Sequence, residues 1–153
     1  MKKKVLLMTI MLVAAWVGMS AAPRAIGGRI GYGVEFSYEH GLGESNMISI
    51  DAGLPGFNGL HAVGTYDWIF NIKSWSGKGE WNWYPGVGAG VGIWDLGDPN
   101  FLIGVAGRIG IEYNFWFPLQ LSLDYRPVIG IAGSGFYDQG LISGIDLGIR
   151  YRF

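Results

Sequence analysis

From Ile26 to Phe153 the apolar residues recur at every second position, and no apolar run reaches the length that a membrane-spanning helix needs. A period of two belongs to a β-strand whose two faces meet different surroundings. The last segment shows it best. Leu141, Ile145, Leu147, Ile149, Tyr151 and Phe153 share one parity, and Gly144, Asp146, Gly148, Arg150 and Arg152 hold the other.

Six earlier segments repeat the pattern. Residues 26–40 place Ile26, Ile30, Tyr32, Val34, Phe36 and Tyr38 against Arg29, Glu35, Ser37 and Glu39. Residues 47–54 set Ile48, Ile50 and Ala52 against Ser49 and Asp51, and 60–70 set Leu60, Tyr66, Trp68 and Phe70 against His61, Thr65 and Asp67. In 81–94, Trp81, Trp83, Val87, Ala89, Val91 and Ile93 alternate with Asn82, Tyr84 and four glycines. Residues 101–113 oppose Phe101, Ile103, Val105, Ile109, Ile111 and Tyr113 to Arg108 and Glu112, and 119–126 oppose Leu119, Leu121, Leu123 and Tyr125 to Gln120, Ser122, Asp124 and Arg126. Each segment has the reach of a tilted membrane strand, about 9 to 11 residues or somewhat more.

A soluble sandwich buries such apolar faces against each other. A transmembrane barrel turns them to lipid and encloses the polar faces. Two features favour the barrel. The polar parity mixes Arg29, Arg108, Arg126, Arg150 and Arg152 with Glu35, Glu39, Asp51, Asp67, Glu112, Asp124 and Asp146, among glycines and without lysine, which suits paired charges in a narrow lumen. Aromatics gather at segment ends on the apolar parity, as at Trp68 and Phe70, Trp81 and Trp83, Tyr113 and Phe115, and Tyr151 and Phe153, in the manner of an interfacial girdle. The expectation is an all-β, antiparallel, up-and-down transmembrane β-barrel. Seven segments are legible, and single-chain bacterial barrels have an even strand number, so eight strands are expected. Residues 128–140 are the available place for an irregular strand, although one there sets the 113–118 connector opposite Phe153.

Composition agrees with this class. The chain has 27 Gly among 153 residues, well above the usual share of about 7%, and aromatics at 15%, which speaks against both a helical bundle and disorder. Cys is absent, which excludes disulfides and thiolate zinc sites. Lys2, Lys3 and Lys4, the apolar stretch Val5–Val17 and the small residues Gly18, Ser20, Ala21 and Ala22 form a signal-peptide pattern, so 1–22 reads as a cleaved leader and 23–153 as the barrel domain. Without the three leader lysines, eight basic residues face twelve acidic ones, and a nucleic-acid partner is not expected.

The ending Ile145, Leu147, Ile149, Tyr151 and Phe153 resembles the β-signal by which the assembly machinery of Gram-negative outer membranes recognises barrel substrates. The mature chain resembles the small OmpA/OmpX-type outer-membrane β-barrel (porin-like) family, through Trp83-Tyr84-x-Gly86-x-Gly88-Ala89, Gly110-Ile111-Glu112-Tyr113, the stretch from Pro118 to Pro127, and Ile149-Arg150-Tyr151-Arg152-Phe153. The resemblance implies an address in the outer membrane, a lipid bilayer as surroundings, and the barrel assembly machinery with periplasmic chaperones as partners in biogenesis. It implies no chemistry.

An eight-stranded barrel is just wide enough for its own side chains, so a filled polar lumen with a structural or interaction role is expected rather than a general diffusion pore. The alternatives are a narrow channel or a lipid-modifying enzyme of the lipid A deacylase or acyltransferase type, for which only His40 and His61 could serve as base. His61 shares the polar parity of Ser49 and Asp51 in the neighbouring segment. Neither histidine stands in a motif of those enzymes. Gly86, Gly88, Gly90 and Gly92 lack the G-x-G-x-x-G spacing, and no catalytic residue, metal site or cofactor is assigned.

Overall fold

The computed structural model of the chain describes residues 21–132, 135–139 and 144–153. Eleven strands form one antiparallel sheet, with no helix among the described residues. They are β1 (Ala21–Ile30), β2 (Gly33–Leu42), β3 (Asn46–Pro55), β4 (Gly59–Trp68), β5 (Phe70–Asn71), β6 (Glu80–Trp94), β7 (Asn100–Asn114), β8 (Leu119–Tyr125), β9 (Val128–Ala132), β10 (Gly135–Gln139) and β11 (Ile145–Arg152). β5 prolongs β4 along β6, and β9 prolongs β8 along β7. With β10 and β11 sharing a position, the sheet has eight staves. Pairing of β11 with β1 closes it into an up-and-down barrel.

The strand missing from the seven-segment pattern lies inside residues 26–40. These are two strands joined at Gly31 and Tyr32. Arg29 pairs with Glu35 and Ile30 with Val34, so partners share parity and the alternation runs through the turn unbroken. Gly31 permits the tight return, because a Cβ there would collide with the Asp146 carboxylate and the Ile145 carbonyl. Residues 128–140 do not supply the missing strand. Val128–Ala132 continues the stave of β8 beyond Arg126 and Pro127, and Gly135–Gln139 precedes β11 on the last stave. The 113–118 connector therefore stays on the side of Phe153. Leu141 lies outside the described residues, as does the expected leader except for Ala21 and Ala22, which already pair with Leu42 and Gly41.

The ladder also sets the barrel's size. Ile26 leads through Tyr38, Ile50, Gly64 and Ala89 to Val105 on β7. In the other direction it leads through Tyr151 to Leu119, whose carbonyl accepts from Phe115 N at 3.0 Å. The two routes reach β7 ten residues apart, which is the stagger of the barrel. For eight strands this corresponds to a tilt of about 40° and a radius that side chains fill. A ten-residue strand so tilted rises roughly 25 Å, the height of an outward apolar band in membrane barrels.

The start of β1 at Ala21, the end of β11 at Arg152 and the connectors 43–45, 72–79 and 115–118 lie at one end, here called the terminal rim. The turns at 31–32, 56–58 and 95–99 lie at the other. The β3–β4 turn has Gly56 at φ 58° and Phe57 at φ 59°, with Asn58 N donating to the Pro55 carbonyl at 3.4 Å. Two positive φ angles match the right-handed twist of the flanking strands.

Candidate functional site in the charged barrel interior

Because each strand alternates, closure sends one parity inward on every stave. The apolar parity is on the outside, with Val87 57%, Val105 69% and Ile109 53% exposed. Inside lie Arg29, Asp51, Asp67, Arg108, Glu112, Asp124, Arg126 and Arg150, all buried, while Glu35 and Asp146 are partly so. The residues of the terminal segment, Ile145, Leu147, Ile149, Tyr151 and Phe153, face outward and are exposed.

Nearest the terminal rim, Arg24 is clamped between Glu39 and Glu112, with Met47 Sδ at 3.3 Å. Glu112 also accepts from Asn82 at 2.9 Å and from Asn114 and Gln120 at 3.1 Å. Arg24 lies off the parity of Ala25 and Arg29, and the register shift between Pro23 and Ala25 is what lets it join the lumen. Arg152, read with the polar parity, is half-buried at the rim and donates to the Phe115 carbonyl at 3.3 Å.

One layer further in, Arg150 donates to Ser37 at 2.8 Å and to Ser122 at 2.7 Å. Arg108 reaches Asp67 and Asp124 at 3.1 Å each, and its guanidinium lies 4.9 Å above the ring of Tyr84. The Tyr84 hydroxyl in turn donates to Asp124 at 3.2 Å. Space for that phenol comes from Gly110, where a Cβ would stand 2.5 Å from the ring.

Arg29 is the hub. Its two terminal nitrogens meet Glu35, Asp124, Asp51 at 3.3 Å and Asp146 at 2.8 Å. Arg126 closes the ring through Asp51 at 2.7 Å and Glu35 at 2.5 Å, and His61 Nε2 also meets Glu35. Beyond this layer the interior turns apolar, where Val63, Ala106 and Val128 pack together. Carboxylates that each serve two or more donors can be enclosed; isolated ones could not.

The groups that might support acyl chemistry are committed elsewhere. The Ser49 hydroxyl donates to Asp67 at 2.7 Å, whereas His61 meets Glu35. His40 Nδ1 lies 2.8 Å from the Tyr38 hydroxyl on the same strand. In the β3–β4 register Ser49 stands opposite Thr65 and His61 opposite Gly53, so the two lie four residues apart along the hairpin. A furrow of about 900 Å³ does exist, lined by Ala52, Leu60, Ala62, Val91, Ile93 and Ile103 among others. Those six stand on the outward parity, where the cross-strand pair Ala52 and Ala62 leaves a hollow.

No protein-family model, curated protein or solved structure matches this chain.

Proposed function

We propose that the protein is an integral outer-membrane β-barrel of the small OmpA/OmpX type, with a structural or interaction role and a lumen plugged by its own ion pairs. One observation carries the reading: the barrel is inside-out relative to a soluble protein. Its wall exposes Ile30, Phe36, Val87, Val91, Ile103, Val105 and Ile109, each more than half accessible, while Arg29, Arg108 and Arg150 are at most 3% exposed. A contiguous apolar wall on this scale is unstable in water and stable in hydrocarbon.

The leader pattern and the alternating ending at Phe153 support export and insertion by the assembly machinery, with periplasmic chaperones holding the unfolded wall in transit. The start of β1 and the end of β11 lie at one rim, which suits insertion from a single side. The packed layers around Arg29 and Arg108 favour a plug over a diffusion pore, since every guanidinium there is held by at least two acceptors. Heat-modifiable migration tests the reading. Protein extracted in mild detergent should run faster unboiled than boiled, and it should fractionate with outer membranes. A mature chain that remains soluble and monomeric without detergent would overturn it.

A further inference from the structure

The sequence beyond the leader contains two lysines, Lys73 and Lys78, and both stand exposed on the connector 72–79 at the terminal rim. The opposite rim carries Asp95 and Asp98 in its 95–99 turn and no lysine or arginine in the described turns. The lysine connector is a built element. Trp75 N and Ser76 N both donate to the Ile72 carbonyl at 3.1 Å, the Ser76 hydroxyl donates back to Ile72 O at 3.0 Å and accepts from Trp81 N at 3.1 Å, and Gly77 N closes on Gly79 O at 3.1 Å.

This connector sits on a continuous aromatic belt. Trp75 packs edge-on to Trp81 at 5.8 Å, Trp81 meets Tyr113 at 4.9 Å, Tyr113 meets Phe115 at 4.6 Å, and Phe115 meets Phe117 at 4.9 Å. Lys78 Nζ lies 4.4 Å above the ring of Trp116, which fixes the ammonium at the level of the belt. Trp75 and Trp116 remain 60% and 57% exposed. Aromatic rings seek the headgroup region, and a lysine fixed among them is set at phosphate depth.

We infer that Lys73 and Lys78, with Trp75 and Trp116, form a headgroup site for an anionic glycerophospholipid in the leaflet that surrounds the terminal rim. The inference rests on the outer-membrane reading above. Glu80 offsets one of the two lysines, so the connector carries one net positive charge; Glu44 and Arg152 share the rim further along. One net charge at a bilayer surface corresponds to about a fivefold preference for an anionic over a zwitterionic lipid.

The test uses the protein purified from membranes of cells expressing the full chain, returned to phosphatidylcholine vesicles with spin-labelled phosphatidylglycerol or spin-labelled phosphatidylcholine. The motionally restricted fraction should favour phosphatidylglycerol about fivefold, fall to near parity in K73Q/K78Q, and fade at 1 M salt, where screening shortens to about 3 Å. No preference in the wild type, or one that survives the double substitution, would overturn the site while heat-modifiable migration still upheld the barrel. Should the double variant not assemble, the salt series on the wild type decides, and a salt-independent preference counts against the proposal. Failure of the wild type to enter vesicles at all would remove the outer-membrane reading and this site with it.

Discussion

Replacing Arg108 with Met separates an enclosed charge network from a solvated one. The Arg108 side chain is fully buried, bridges Asp67 and Asp124 at 3.1 Å each and covers the ring of Tyr84. In Arg108→Met, Asp124 keeps Arg29 and the Tyr84 hydroxyl, but among the described residues Asp67 retains the hydroxyls of Ser49 at 2.7 Å and Thr65 at 3.0 Å. Removing one side of a buried pair costs about 3–5 kcal/mol, and two surviving donors on Asp67 set the expected loss near the lower bound, about 3 kcal/mol. Adding Asp67→Asn removes the orphaned charge, so R108M/D67N should regain about 1–2 kcal/mol relative to R108M. Urea midpoints of the barrel folded in lipid vesicles, read from heat-modifiable bands or Trp fluorescence, measure both quantities. Were these charges facing water, each change would shift stability by less than about 1 kcal/mol. An R108M loss that small, or a double variant whose loss is the sum of the two single losses, would refute the enclosed network.

The outer wall and the close contacts make further predictions. Val87 is the central residue of β6 and is 57% exposed, so Val87→Arg should cost about 2–4 kcal/mol in vesicles and leave the ion-pair layers unchanged; a loss under about 0.5 kcal/mol would contradict a lipid-facing wall. Gly110→Ala should destabilise by about 1–3 kcal/mol, since its Cβ would stand 2.5 Å from Tyr84 and 2.6 Å from the Asp124 Cβ, whereas outward Gly64→Ala meets nothing nearer than 4.0 Å and should be neutral or stabilising in the same urea series. Deletion of Phe153 should lower the amount of assembled barrel in outer-membrane fractions, and undiminished levels on immunoblots would contradict its role in a terminal assembly signal. Phe57→Asn should raise stability by about 1 kcal/mol, because a bulky residue at φ 59° is strained where Asn is tolerated.

The period of two told from sequence alone which side chains share a face, because alternation is a property of a single strand and needs no partner. Ile145 to Phe153 and Trp81 to Ile93 were assigned to their faces on that ground, and the mixed charges of the opposite parity pointed to enclosure before any strand was paired. Parity could not reveal where a strand ends when the hairpin partners share it, and so the turn at Gly31 and Tyr32 was invisible until β1 and β2 were seen side by side. The ion-pair map was equally out of reach. Arg29 meets Asp124, ninety-five residues away, because closure of β11 on β1 and a stagger of ten residues bring them to one layer of the lumen. A β-bulge between Pro23 and Ala25 brings Arg24, which is off the inward parity of β1, to the lumen, and Arg152 stays at the rim. Which face is polar is thus local chemistry, written residue by residue; which charges neutralise one another depends on distances across a closed cylinder, and only the tertiary structure sets those.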